Sequence, residues 1–312
     1  MLDTLRHQAS DMLWRRSLKR YRSNMEWRAA PLYHDYLVKS QKAFDGTMPE
    51  LPVEMHSALE AFERDGVTSF RTEETARLAT AVAAKLKERE AAGKTVWGDG
   101  TTKTGPNVYT GDLWQDFPEV RAFLKGPLSD FLTAHFHTWP KYLYGSSFRS
   151  LRLRDHAINS QLWHSDSGPG TCVNVIVLLS DVGIKDGPLH VVPWDDSVAV
   201  FRDQPPIMRK RLAAAGNPTD RIERREVLCR YYEEEIDAHL SDKVRPMIGP
   251  VGTVVPFRNN CLHRGGFPEP GHERRVMIFH CYPSHRPTHW SLYDKKGLVK
   301  AESYPRDPAA DF

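Results

Sequence analysis

The chain has 312 residues, of which 40% are hydrophobic and 27% charged, and its formal net charge is +3. This is the composition of a globular protein long enough to bury a substantial core, which excludes a disordered chain. No apolar run approaches the roughly eighteen residues that cross a bilayer, the first residues lack a secretory signal, and the charge does not suggest a general nucleic-acid binder, so a cytoplasmic protein is expected.

The first segment, to about residue 135, reads as mostly helical. Residues 1–30 hold seven Lys/Arg against three acidic residues, and Leu2, Leu5, Ala9, Met12, Leu13, Leu18 and Tyr21 recur near helical spacing. Residues 1–45 are therefore expected to form a basic helical arm, either a solvated face or a contact for an anionic surface or partner. Glu54–Arg64 predicts a second helix, ended by Asp65-Gly66, and Thr72-Glu-Glu-Thr opens a third through Lys87, because a threonine can cap unpaired backbone N–H groups. Residues 93–111, rich in Gly and Thr, have no clear period and predict a long loop, a candidate lid.

From about residue 144 the period changes. Phe148–Arg154 alternates as a half-buried strand does, Thr171–Leu179 is a β-branched run, and Pro188–Pro193 reads as a short strand after the Asp186-Gly187 turn. Residues 201–245 predict a charged helical insertion, and strands return at Gly252–Phe257 and Arg274–Tyr282. Pro256 within a strand requires a position where no ladder donor is needed. Cys172, Cys229, Cys261 and Cys281 form no C-x-x-C pair and are expected as free thiols. The pattern predicts one domain, a β core at about 144–284 of jelly-roll type, wrapped by helices.

Three residues offer a metal site. Trp163-His-Ser-Asp166 precedes the β-branched run, and on an extended backbone His164 and Asp166 point to the same side. His263, 97 residues after Asp166, follows a strand near the end of the β block. Two imidazoles and one carboxylate suit iron(II) and leave three coordination positions open, whereas thiolates would suit zinc or clusters. Arg274, 11 residues past His263, begins the last strand. Alternation puts Arg274, Val276, Ile278 and His280 on one face. A buried arginine needs an anion, and a dicarboxylate would satisfy it in a two-pronged geometry, an internal salt bridge being the other account. The opposite register makes Arg275 the anchor instead.

Phe62-Glu-Arg-Asp-Gly-Val67, Trp163-His-Ser-Asp166, Asp186-Gly-Pro-Leu-His-Val-Val-Pro193 and Gly252–Gly266 occur in an order that resembles the phytanoyl-CoA hydroxylase family of iron(II)/2-oxoglutarate dioxygenases, which includes ectoine hydroxylase. The resemblance implies a double-stranded β-helix (jelly-roll/cupin-like), iron(II), and conversion of 2-oxoglutarate and O2 to succinate and CO2 with hydroxylation of an unactivated carbon. It also implies that Gln161 and Asn174 touch 2-oxoglutarate. Pro193-Trp-Asp-Asp196 departs from the family's Pro-Gly-Ser-His ending, which makes the loop after that strand distinct. Asp166 is retained, unlike the small residue of a related halogenase.

Arg149, Arg152, Arg154, Arg258 and Arg264, with Trp163 and Trp194, are expected near the site mouth and favour a polar or anionic small-molecule substrate. Two alternatives use the same residues: a protein or peptidyl hydroxylase, and a jelly-roll binding protein or metallohydrolase. A metallohydrolase has no need of a dicarboxylate anchor.

Overall fold

The structure is a computed structural model. It describes residues 31–290 apart from 95–96, 98–106, 112, 153–156, 158, 167–171, 198–211, 218–235, 237–239, 260 and 285–288. The basic residues 1–30, the tip of the expected lid and most of the insertion lie outside the described residues.

Among the described residues, the helices ahead of and beside the sheets include α1 Pro31–Ala43, α2 Val53–Asp65, α3 Glu73–Ala91, α4 Leu113–Asp116, α5 Pro118–Lys125 and α6 Pro127–Phe136. Helix α2 buries Met55, Ala58 and Phe62 along one stripe and stops where Gly66 takes a left-handed conformation at φ 72°. Helix α3 opens on reciprocal bonds between Thr72 and Thr75, each backbone N–H donating to the other's hydroxyl at 3.1 and 3.0 Å. Proline at the first position of α5 and α6 fits a turn whose N–H would be unbonded in any case.

The strands are β1 Asn107–Val108, β2 Trp139–Leu151, β3 Val173–Leu178, β4 Leu189–Val191, β5 Arg245–Met247, β6 Val254–Arg258, β7 His263–Gly265, β8 Glu273–Ser284 and β9 His289–Trp290. The larger sheet runs β1-β2-β8-β3-β6 with β9 beside β2, and the smaller runs β5-β4-β7. All of these pairings are antiparallel except β2 with β9.

Alternation divides the larger sheet into two faces. Val173, Val175, Val177, Val254, Met277, Phe279 and Cys281 pack with Phe62, Leu78 and Phe131 of the helices. Ile176, Leu178, Val255, Phe257 and Val276 pack instead with Leu189, Val191 and Met247 of the smaller sheet. Two sheets enclosing one interior face, with helices outside, is the expected jelly-roll arrangement.

Pro256 pairs with Val175, and its carbonyl accepts from Thr68 N at 3.2 Å. The missing N–H therefore points away from β3, toward residues 67–70, and costs no bond to β3. Residues 93–111 differ from the expected loop. Trp97 bridges Tyr109 and β1 joins β2, so the base of this segment is a ladder. Glu90 accepts from the Trp97 indole, and Tyr109 donates to Asp116 at 2.6 Å. Those two polar anchors carry no periodic signature in the sequence.

Candidate metal centre

His164 and His263 come together through the backbone. His164 N donates to His263 O at 2.9 Å and His263 N to His164 O at 2.8 Å, so the Trp163–His164 segment adds to the smaller sheet beside β7. Asp166 N bonds Asn259 O at 3.0 Å, which fixes the extended run that turns its carboxylate to the side of His164. One ligand atom from each of His164, Asp166 and His263 lies within 4.8 Å of the other two. His164 Nε2 is 3.9 Å from Asp166 Oδ1, and His263 Nε2 is 3.7 Å from Asp166 Oδ2.

Both rings are oriented by main-chain acceptors. His164 Nδ1 bonds Leu162 O at 2.7 Å and His263 Nδ1 bonds Cys261 O at 2.8 Å. Each Nδ1 therefore carries the proton of the neutral ring, and the Nε2 lone pair is left for an ion. Burial opposes ionisation of Asp166, but the neighbouring His263, His164 and His280 and a hydrogen bond from Asn174 outweigh it and hold the carboxyl below its usual range. The site thus offers two imidazole Nε2 atoms and one carboxylate, a donor set that fits ferrous iron.

Asn174, expected beside 2-oxoglutarate, directs its amide at the metal carboxylate, with Nδ2 donating to Asp166 Oδ2 at 2.9 Å. Gln161 closes a short 3₁₀ turn, Asn159–Gln161, and is buried just ahead of Trp163.

The two candidate anchors separate by face. Arg275 is bonded on the helix side to Glu273 Oε1 at 2.7 Å and to Glu90 Oε2 of α3 at 2.8 Å. Arg274 turns to the interior, 6% exposed, with Nη2 only 3.5 Å from Ser150 Oγ and with Nε and Nη1 lacking a hydrogen-bond partner among the described residues. Burial lowers its pKa to about 10. The guanidinium lies beside the strand that bears His263, since a Cβ on Gly265 would stand 3.2 Å from Nη2. On the other face of the smaller sheet, burial together with the charges of Arg264, its cross-strand partner, and of Arg274 lowers His190 to about 4.

Several other arginines expected near the mouth have different neighbours. Arg149 pairs with Glu273 at 2.6 Å, Arg258 lies over the Phe62 ring and 3.7 Å from Glu63, and Arg264 stacks on Trp163. Arg152 lies over Phe267, Trp194 packs into the core between the sheets, and Arg154 falls outside the described residues. Polar side chains on the interior face, Lys141, Ser150 and Tyr282, had no motif to reveal them. The alternation of β8 does place His280 in the Arg274 row.

No protein-family model matches the chain. The L-proline trans-4-hydroxylase of Streptomyces griseoviridis is 27% identical over 123 residues, covering 37% of this chain and 43% of that enzyme. The match thus spans less than half of that relative's length. The non-haem α-ketoglutarate-dependent epimerase SnoN of nogalamycin biosynthesis shares the fold, with a TM-score of 0.50 at 13% identity over 75% of this chain and 85% of SnoN. EctD from S. alaskensis superposes with a TM-score of 0.49 at 16% identity, over 77% of this chain and 81% of its own. The chain is thus similar over about a third of its length to a proline hydroxylase, and it shares the fold of a non-haem α-ketoglutarate-dependent epimerase around a His-Asp-His cluster that could hold a metal.

Proposed function

We propose that this protein is an iron(II)- and 2-oxoglutarate-dependent dioxygenase that hydroxylates an unactivated carbon of a polar or anionic small molecule. The observation that carries the reading is Arg274, a buried guanidinium with two unbonded nitrogens beside the strand of His263. A buried charge left in that state is costly, and a carboxylate matches its geometry. A hydrolytic metal site has no use for such an anchor.

In this reading His164, Asp166 and His263 hold the metal, Arg274 binds the distal carboxylate of 2-oxoglutarate, and Asn174 orients Asp166. Gln161 borders the same cofactor. Iron(II) held by these residues would supply the oxidising chemistry, one oxygen atom of O2 going to the hydroxylated product and the other to succinate as 2-oxoglutarate loses CO2. The chain itself fixes ring orientation, keeps the carboxylate ionised and lines the interior with apolar side chains that limit water. The L-proline hydroxylase relative, whose name gives a small amino acid as substrate, supports the small-molecule assignment.

The whole chain is read as one oxygenase domain acting in the cytoplasm, with residues 1–30 as a docking arm for an anionic surface or partner. Among the described residues no helix is long and apolar enough to cross a membrane. Deleting residues 1–30 should leave substrate-free turnover of 2-oxoglutarate intact. The test of the function is anaerobic titration with iron(II) and 2-oxoglutarate, which should give a visible charge-transfer band that His164→Ala abolishes. Absence of the band in the native protein, or its persistence in His164→Ala, overturns the reading.

A further inference from the structure

The interior face of the larger sheet is polar at both ends and apolar between them. Arg274 and Ser150, cross-strand partners, occupy one end. Val276, Ile278, Ile176 and Phe148 fill the middle. Beyond Ile278 the row continues through His280 and Tyr282, because Phe279 and Cys281 pack on the helix side.

Lys141 joins this second polar end. Its neighbour Tyr142 points to the helices, where its hydroxyl donates to Leu124 O at 2.7 Å. Lys141 therefore faces the opposite way, directly across from Tyr282 in the β2–β8 register, and is only 3% exposed. Across the other ladder His280 sits opposite Asn174, the residue that holds Asp166, and its charge state is felt by Asp166 itself. Tyr282 packs against Cys172. A lysine, an imidazole and a phenol thus share one end of the face, next to the metal carboxylate and six strand residues away from Arg274. Asn174 and His280 link this end to the metal centre directly.

We propose that Lys141, His280 and Tyr282 form the primary-substrate subsite and that it takes a carboxylate, Lys141 supplying the charge and His280 a hydrogen bond. The inference rests on the oxygenase reading above, since it assigns Arg274 to the co-substrate and so leaves the second polar end to the substrate. A substrate carboxylate held here fixes the rest of the molecule beside His164, Asp166 and His263, which is how a positioned anchor selects one carbon for reaction. The ion pair is formed away from water, where loss of one partner weakens binding by about tenfold or more.

The experiment uses the full chain loaded with iron(II) and 2-oxoglutarate. It is titrated anaerobically with free L-amino acids and, in parallel, with their carboxamides, following the charge-transfer band and the heat of binding. Acids should bind and shift the band while the matching amides do not. Lys141→Met should weaken the acids about tenfold or more, with Lys141→Arg restoring most of the loss, and His280→Gln should weaken them less. Binding of 2-oxoglutarate in Lys141→Met should stay at the native level. If no acid binds, if acids and amides bind alike, or if Lys141→Met preserves the preference, the subsite assignment is overturned. Failure of the band to form with iron and 2-oxoglutarate alone would instead strike the oxygenase reading.

Discussion

Replacing Arg274 by methionine separates its cost to the ligand-free protein from its value to the complex. Methionine keeps much of the volume and removes the charge. Burial moves the Arg274 pKa from 12.5 to about 10. At 1.36 kcal/mol per tenfold change this is a penalty of about 3 kcal/mol for holding the buried cation without an anionic partner. The sign follows from proton counts. Between those two values the unfolded chain binds more protons, so the penalty is fully present below about pH 10 and is relieved as pH rises through the folded value. At neutral pH Arg274→Met should therefore raise the ligand-free Tm, by roughly 5 °C for a chain of this size. The same change should weaken 2-oxoglutarate binding by about two orders of magnitude, because a two-pronged charged pair is lost. Differential scanning fluorimetry with and without 2-oxoglutarate reads both effects, and the native stabilisation by 2-oxoglutarate should vanish in the variant. A ligand-free Tm that falls, together with an unchanged 2-oxoglutarate response, would refute the reasoning.

Arg275→Ala should behave in the opposite way: loss of its charged hydrogen bonds to Glu90 and Glu273 at this buried position costs about 2 kcal/mol, while 2-oxoglutarate affinity stays within about twofold. Asn174→Ala removes the donor that steadies Asp166, and iron(II) affinity measured by anaerobic titration should drop about tenfold, with a smaller effect on 2-oxoglutarate. For Glu273, burial raises the pKa, but bonds from Arg149 and Arg275 outweigh it and leave the carboxyl below 4.5. Its stabilisation is present above about pH 4.5 and is lost as pH falls through the folded value. The Tm difference between native protein and Glu273→Gln should accordingly shrink toward zero on acidification. A difference that persists at low pH would show that the residue acts through packing alone.

The parts of the site that rest on short-range geometry were legible in the sequence. His164 and Asp166 are two residues apart on an extended run, so their shared side follows from the pleat, and the interior row of β8 follows from alternation once its face is known. That face is what sequence could not decide between Arg274 and Arg275. The difference lies in Glu90, 185 residues away in the chain, which claims Arg275 for the helix side. Lys141 was hidden for another reason. The β2–β8 register shifts between Tyr142 and Tyr144, which breaks the alternation that would have linked Lys141 to Ser150. The arginines at 149, 258 and 264 carried the right charge for an anion site, but their neighbours are acidic or aromatic residues distant in sequence.

The reciprocal main-chain bonds between His164 and His263 bear on how such an enzyme can diversify. Because the two imidazoles are zipped together by backbone groups, their spacing does not depend on the chemistry of the residues that separate them along the chain. A surface loop can lengthen at small entropic cost, each doubling adding only about 0.6 kcal/mol. Loops within the connecting stretch, outside strands β3 to β6, are therefore freer to drift in length and composition, and with them whatever they contribute to the walls around a guest molecule. A lineage built this way can exchange its choice of guest while keeping the spacing of the two imidazoles unaltered.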